Sequence, residues 1–130
     1  DLKIGVVGVK CFRPFPVEVM GEALEGAKTV VVLERTLAVG SGGVLSRDIM
    51  DSIKDPSVTR YTVIAGLGGR AITKASLKKM LKEAAAHQLE TLTFMDLNKE
   101  LVERQLERER KTRKSGPVPE ALIRDAAMHQ

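Results

Sequence analysis

Two kinds of segment alternate along the chain. Short runs of β-branched apolar residues, apolar on both faces, are typical of buried strands in a parallel sheet. These predicted strands are residues 4–10, 29–33, 61–65 and 91–95. Each predicted strand is followed by a segment with apolar residues at helical spacing. The four helices predicted in this way are residues 17–24, 44–53, 73–87 and 97–114, and Thr73 is the predicted N-cap of the third. A short last helix is predicted to begin at Pro119. This order predicts an α/β fold with three layers, built on an open and mostly parallel sheet.

Glycine, proline and arginine cluster directly after the predicted strands. The carboxyl ends of parallel strands meet at one edge of a sheet, where open α/β sheets usually bind ligands. Arg13, Arg35 and Arg70 each follow a predicted strand at this edge. Three arginines there can hold a phosphate or the carboxylates of a partner. The interpretation that we favour is salt bridging within the chain, to Glu34, Asp48 and their neighbours.

The residues 66–71, GLGGRA, formally satisfy the G-x-G-x-x-G/A pattern of dinucleotide-binding loops. Gly66, Gly68, Gly69 and Arg70 are therefore weak candidates for contacts with a cofactor. However, the loop follows the third predicted strand, whereas the fingerprint follows the first, and Asp96 is only loosely at the spacing expected for its acidic residue. We favour the explanation that these glycines permit positive φ angles and close packing. The other glycine-rich loop, residues 40–43, lacks the Lys-Ser/Thr of a P-loop.

Charge and aromatic content argue against nucleic acid as a partner. Residues 1–65 contain eight basic and eight acidic residues, so the net charge of +4 comes from residues 66–130, with 13 basic and nine acidic. The last basic cluster is interleaved with glutamates at i,i+4, which is typical of a solvated helix. The sequence has one tyrosine and no tryptophan for base stacking. No apolar stretch approaches the roughly 20 residues that a membrane-spanning helix needs.

The candidate catalytic chemistry is sparse. Cys11 is the only cysteine, so this chain by itself cannot hold an iron–sulfur cluster, which takes about four thiolates. We expect Cys11 to be a small buried apolar residue. Neither Ser41 nor Ser46 has a nearby histidine, and we predict no catalytic residue and no metal ligand. The default location is a reducing cytoplasm, and the start at Asp1, close to a predicted strand, suggests an excised domain or a processed fragment.

Several strings, in this order, resemble core domain II of the α subunit of 2-oxoacid:ferredoxin oxidoreductases, the pyruvate enzyme above all. FRPFP follows the first predicted strand, and VVVLER forms the second and ends in acid–Arg. The glycine loop of residues 40–48 and the stretch VIAGLGGRAIT come next. The sequence SGPVPEALIRD, residues 115–125, is similar to the tail of many such subunits. The chain departs from the family at Ala71, where many relatives carry an acidic residue.

The resemblance implies a transketolase-C-terminal-like domain of Rossmann-like topology. The parent enzyme converts a 2-oxoacid and coenzyme A to acyl-CoA, CO₂ and reduced ferredoxin, using thiamine diphosphate, Mg²⁺ and [4Fe-4S] clusters bound by other domains or subunits. This chain is then expected to be a structural domain, residues 1–96, followed by a charged segment, residues 97–130, that packs on a partner subunit. The interface candidates are Arg13, Pro14, Phe15, Arg35 and Arg70. Which 2-oxoacid is used stays open, and the alternative is a free-standing nucleotide- or anion-binding module that uses residues 66–71.

Overall fold

The computed structural model describes residues 2–112 of the 130. The chain divides into two compact units, of which the first ends at Asp96 and the second begins at Leu97. The predicted last helix at Pro119 and the string of residues 115–125 lie outside the described residues. Each unit is treated by itself below.

The helices and strands follow the predicted order except that, within the described residues, the first predicted strand is absent and two short strands are added after the second predicted strand. The strands are β1 (Thr29–Glu34), β2 (Leu37–Ala38), β3 (Gly42–Gly43), β4 (Thr59–Ile64) and β5 (Leu92–Phe94). The helices are α1 (Val17–Ala23), α2 (Val44–Ser52), α3 (Lys74–Ala85) and, in the second unit, α4 (Lys99–Thr112). A short 3-10 turn, Leu67–Gly69, follows β4. The predicted strands at 29–33, 61–65 and 91–95 and the first four predicted helices are confirmed to within a few residues.

The first unit is built on a parallel sheet in the order β1–β4–β5. The register aligns Val31 with Tyr61 and Thr62 with Leu92. A separate antiparallel pair joins β2 to β3 within the stretch predicted as a loop. This pair turns the chain back after β1, so that α2 begins close to the carboxyl end of β1.

The predicted strand at residues 4–10 is wrong. None of the described strands pairs with this segment, which has no regular secondary structure and is mostly exposed; Val6 is 91% exposed and Ile4 is 53% exposed. Only Val9 packs against the core. A β-branched sequence gives the chain a preference for extended backbone, but a strand also needs a neighbour for its N–H and C=O groups.

Apolar side chains are buried on both faces of the sheet. One face contributes Val30 and Val32, which cluster with Met20 of α1, Ile49 of α2 and the buried Val58. The opposite face lies under α3, whose residues Met80 and Ala84 are buried, together with Tyr61 and Val63 of β4. The hydroxyl of Tyr61 lies 3.4 Å from Nδ1 of His87, just after α3. Helices therefore cover both faces, and the three-layer α/β prediction is confirmed.

Side-chain caps fix the starts of two helices. Thr73 is the N-cap of α3 as predicted, because its Oγ1 accepts a hydrogen bond of 3.0 Å from the amide of Ser76. Asn98 caps α4 in the same way, with its Oδ1 accepting from the amide of Leu101 at 3.0 Å. Both contacts satisfy N–H groups that a helix start leaves without an intrahelical partner.

Asp55 holds the turn between α2 and β4. The amide of Ser57 donates to Asp55 Oδ1 at 2.8 Å. The hydroxyl and the amide of Ser57 both stabilise the ionised carboxyl, which lowers the pKa of Asp55 below its ordinary value of 3.8. Arg60 reinforces the turn by donating to the carbonyl oxygens of Asp55 and Ile53, at 2.9 and 3.2 Å.

Candidate functional site

The two glycine-rich connections lie at the carboxyl ends of neighbouring strands, as predicted. One follows β1 and the other follows β4, and β1 and β4 are paired along their whole length. The chain therefore brings Arg35 and the GLGGR loop to one edge of the sheet, whereas Arg13, Pro14 and Phe15 lie before α1 and follow none of the sheet's strands. Their individual contacts decide what each of them does there.

Glu34 holds the start of α2. This side chain, at the end of β1, is buried with 8% exposure. Its Oε2 accepts from the amide of Leu45 at 2.9 Å, and its Oε1 accepts from the amide of Ser46 at 3.0 Å and from the Ser46 hydroxyl. The N-cap residue of α2 is Gly43, which has no side chain to cap with. The carboxylate of Glu34 thus replaces the missing cap, and its negative charge is favourable at the positive end of the helix dipole.

Gly43 makes room for this contact. Its φ of −74° and ψ of 147° are an extended conformation that any residue adopts. However, a Cβ at this position would overlap Oε1 of Glu34 and Oγ of Ser46 and would lie 2.7 Å from Cδ of Glu34. The glycine is required by the close approach of the carboxylate and not by its backbone angles.

Sequence reasoning missed the roles of Glu34, Gly43 and Ser46. It considered Glu34 only as a possible partner of the arginines or of Asp48. One sequence signal could have revealed these roles. Glu34 is an acidic residue at the end of a strand, and the N-cap position of the next helix is a glycine, Gly43. Such a helix needs an acceptor from elsewhere in the chain.

Arg13 makes the intramolecular salt bridge that we favoured from the sequence. Its Nη1 lies 2.9 Å from Oδ2 of Asp48 on α2 and donates to the carbonyl of Phe12 at 2.7 Å. The guanidinium also lies over the Phe12 ring, 3.9 Å from its centroid. The Arg13–Pro14 peptide bond is cis. Pro14 is exposed, whereas Phe15 is half-buried and packs against the core cluster.

The Arg13–Asp48 pair is expected to contribute little to stability. Replacing Arg13 by alanine should lower the free energy of unfolding by about 0.5–1 kcal/mol, because the two side chains are 58% and 25% exposed and solvent screens their attraction. Urea unfolding followed by circular dichroism measures this change. A double-mutant cycle with Asp48→Asn should give a coupling of similar size, and the exposed Lys3→Ala is a matched control. A decrease in the free energy of unfolding of more than about 2 kcal/mol for Arg13→Ala would contradict the expectation that this salt bridge contributes little.

The GLGGR loop uses its glycines for conformation. Gly66, Gly68 and Gly69 have φ angles of 71°, 65° and 78°, in the left-handed region that side chains rarely adopt. Nη1 of Arg70 donates to the main-chain oxygen of Asp96, which follows β5. Asp96 therefore contributes its carbonyl group to this contact. These observations agree with the conformational explanation that we favoured for the glycines.

Arg35 differs from the other two arginines. It is exposed, and within the described residues 2–112 its guanidinium takes part in no hydrogen bond or ion pair. A Cβ built on the buried Gly66 would lie 3.4 Å from Nε of Arg35 and 3.4 Å from Cδ1 of Ile72. The Arg35 and Ile72 side chains thus both lie against the backbone at Gly66.

Two observations on the described residues concern possible metal ligands and Cys11. Among them, no three His, Cys, Asp or Glu side chains lie close enough together to hold a metal ion. Cys11 is exposed, with Sγ 3.4 Å from the carbonyl of Pro14, so the prediction of a buried cysteine is wrong. None of the described strands pairs with its segment to cover it. One exposed thiol does not fit an iron–sulfur cluster, which needs about four.

The comparisons with known proteins identify the family. Residues 1–77 match the family described as pyruvate:ferredoxin oxidoreductase core domain II. The chain belongs to this family. The resemblance drawn from FRPFP and GLGGR is thereby confirmed. No solved structure matches the chain.

Curated relatives of this core domain II are subunits of 2-oxoacid oxidoreductases. Pyruvate synthase subunit PorA of Methanosarcina barkeri is 36% identical over 108 residues, covering 77% of this chain and 27% of the relative. PorA of Methanothermobacter thermautotrophicus is 32% identical over 97 residues, covering 75% and 24%. Ketoisovalerate oxidoreductase subunit VorA of Pyrococcus furiosus is 36% identical over 80 residues, covering 58% and 20%. The chain thus spans about a quarter of the length of the first two relatives and a fifth of the third.

The matched strings now have structural roles in this core domain II. The acid–Arg end of VVVLER supplies both the Glu34 cap of α2 and the exposed Arg35. FRPFP ties the segment before α1 to α2 through Arg13, and the glycines of GLGGR form the turn after β4. In the part of the chain that the structure describes, no helix has both the length and the apolar character needed to cross a membrane.

Proposed function

We propose that this chain is the core domain II of the α subunit of a 2-oxoacid:ferredoxin oxidoreductase, and that it serves assembly while other parts of the enzyme perform the chemistry. The observation that carries this proposal is the family match over residues 1–77, together with relatives named pyruvate synthase and ketoisovalerate oxidoreductase subunits. The complete complex converts a 2-oxoacid and coenzyme A to acyl-CoA, CO₂ and reduced ferredoxin. Pyruvate is the first candidate substrate, because two PorA relatives align over 77% and 75% of the chain, whereas three VorA relatives align over 58–62%.

A non-catalytic role is supported by how the polar side chains are used. Arg13 is bonded to Asp48, Arg70 to the main chain at Asp96, and the hydroxyl of Ser46 to Glu34. Each of these groups stabilises the edge of the sheet at which a substrate would otherwise be expected. We assign thiamine diphosphate, Mg²⁺, the [4Fe-4S] clusters and coenzyme A to other domains or subunits of a cytoplasmic complex.

The segment from residue 97 is proposed to dock on a partner subunit. Its helix α4 places Leu101, Val102 and Leu106 among charged residues. By helical spacing these three side chains lie on one side of α4. An apolar side of this kind is typical of a helix that packs against another surface. Neither nucleic acid nor a membrane is proposed as a partner; ferredoxin is reached through the complex.

The proposal is tested by purifying the enzyme through an affinity tag on the subunit that contains this chain. We expect the companion subunits to co-purify, and the preparation to reduce a viologen dye with pyruvate only when coenzyme A is present. 2-Oxoisovalerate and 2-oxoglutarate, assayed in parallel, identify the preferred substrate. Residues 1–130 alone are the control and should reduce nothing. A tagged subunit that purifies alone and is inactive with every 2-oxoacid would contradict the proposal, as would turnover by residues 1–130 alone.

The second candidate function is a nucleotide- or anion-binding module that uses Gly66–Ala71. The positive φ angles of three glycines turn the loop backbone sharply after β4, and turns of this kind can present amides to an anion. NMR titration with NAD, FAD, ATP, coenzyme A and thiamine diphosphate separates the two candidates. Saturable shifts centred on residues 66–71 would favour the module, and silence with all five ligands would favour the assembly role.

A further inference from the structure

The three arginines that the sequence predicted for the carboxyl edge of the sheet are not equivalent. Arg13 is paired with Asp48, and Arg70 donates to the carbonyl of Asp96. For Arg35, in contrast, the structure of residues 2–112 contains no acceptor. Arginine stays ionised at all physiological pH values, so this side chain presents a permanent positive charge and five N–H donors to its surroundings.

One apolar side chain, that of Ile72, lies against the same backbone position as Arg35. Nε of Arg35 and Cδ1 of Ile72 approach the same point on Gly66. Ile72 is 39% exposed, and Leu67, the residue after Gly66, is 45% exposed. We call Arg35, Gly66, Leu67 and Ile72 the Arg35 surface. It combines one unpaired cation with apolar area that is still open to solvent.

The composition of the Arg35 surface indicates what covers it. A free phosphate would bond to the guanidinium but would leave Leu67 and Ile72 in water. A protein surface with one carboxylate and apolar neighbours would satisfy both parts, because planar guanidinium groups bind carboxylates bidentately and arginine is enriched at protein interfaces.

We infer that the Arg35 surface binds a carboxylate, flanked by apolar side chains, on a neighbouring subunit of the complex. This inference rests on the proposed assembly function and selects Arg35 from the interface candidates as the intermolecular contact. Arg13, Phe15 and Arg70 act within the chain. Gly66 is part of the surface because Nε of Arg35 and Cδ1 of Ile72 both lie against its backbone.

The test uses the full subunit and its companion subunits, with assembly measured by sedimentation velocity over a concentration series. Arg35→Glu should weaken assembly about tenfold or more, because it reverses the charge opposite the partner's carboxylate. Arg35→Lys keeps the charge but loses the bidentate geometry, so it should have a smaller effect that grows when the salt concentration is raised. Lys54→Glu, an equal charge reversal at an exposed position after α2, should assemble as the unaltered subunit does.

Two further measurements keep the outcomes distinct. Thermal unfolding of the purified Arg35→Glu subunit should match that of the Lys54→Glu subunit, which separates an interface effect from misfolding. Unchanged assembly of Arg35→Glu beside a functional unaltered complex would overturn the inference and leave the proposed function standing. The inference would also be overturned if the unaltered subunit bound inorganic phosphate and Arg35→Glu abolished that binding without changing assembly. This result would indicate an anion site. If the unaltered subunit itself does not assemble with companion subunits, the proposed function is contradicted.

Discussion

Replacing Glu34 by alanine is expected to lower the free energy of unfolding of the first unit by about 2–4 kcal/mol. The buried carboxylate accepts from the amides of Leu45 and Ser46 and from the hydroxyl of Ser46. Removing it leaves these donors unsatisfied at the start of α2, where Gly43 cannot replace the cap. Urea unfolding followed by far-ultraviolet circular dichroism measures the change, since the sequence contains no tryptophan as a fluorescence probe.

Two variants sharpen this test. Glu34→Gln keeps an oxygen acceptor but loses the charge, so its cost should be roughly half that of alanine. Glu22→Ala removes an exposed glutamate from α1 and should cost less than about 0.5 kcal/mol. Amide hydrogen exchange gives a local readout, because the amides of Leu45 and Ser46 should lose protection first. Equal stability of Glu34→Ala and Glu22→Ala would refute the capping role.

The parts of the fold that the sequence predicted are those determined locally. Thr73 predicted the start of α3 because a hydroxyl three residues before a helical amide is sufficient to cap it. The β-branched runs of β1 and β4 were also predicted correctly as strands. Each of them forms a strand because the other lies beside it in the sheet and accepts its hydrogen bonds. The run at residues 4–10 has the same composition and no paired strand among the described residues. Composition therefore predicted extended backbone in all three cases, while pairing decided which became strands.

The sequence predicted where in the fold the candidate site lies, but it did not predict most of the contacts that its side chains make. Residues that follow parallel strands share one edge, which is a consequence of topology, and Arg13 does bond to Asp48. The partner of Glu34 depends on the β2–β3 pair, which returns the chain from Ala38 to Gly42 and sets where α2 begins. This two-residue pair has no periodicity that a sequence pattern can reveal. The cap of α2 consequently became visible only with the structure.

Gly43→Ala is expected to lower the free energy of unfolding by about 1–3 kcal/mol through its effect on Glu34. The backbone angles at Gly43 suit alanine, so the cost does not arise from strain in φ or ψ. The added Cβ would overlap Oε1 of Glu34 and Oγ of Ser46 and would displace the carboxylate from the amides that it caps. Gly8→Ala is the control, because a Cβ at Gly8 has no heavy atom within 4 Å.

A double-mutant cycle separates this mechanism from simple overpacking. When Glu34 is already alanine, there is no carboxylate to displace, and of the three heavy atoms nearest to the added Cβ only the Ser46 hydroxyl remains. That hydroxyl no longer bonds to a carboxylate and can rotate to another rotamer, so Gly43→Ala should then cost less than about 0.5 kcal/mol. The expected coupling is therefore nearly the whole effect of the single substitution. Additive losses in the Glu34→Ala background would show that Gly43 is required by some other contact of α2. Strong coupling would establish that the end of β1, the glycine before α2 and the first turn of α2 stabilise this edge of the sheet as one unit.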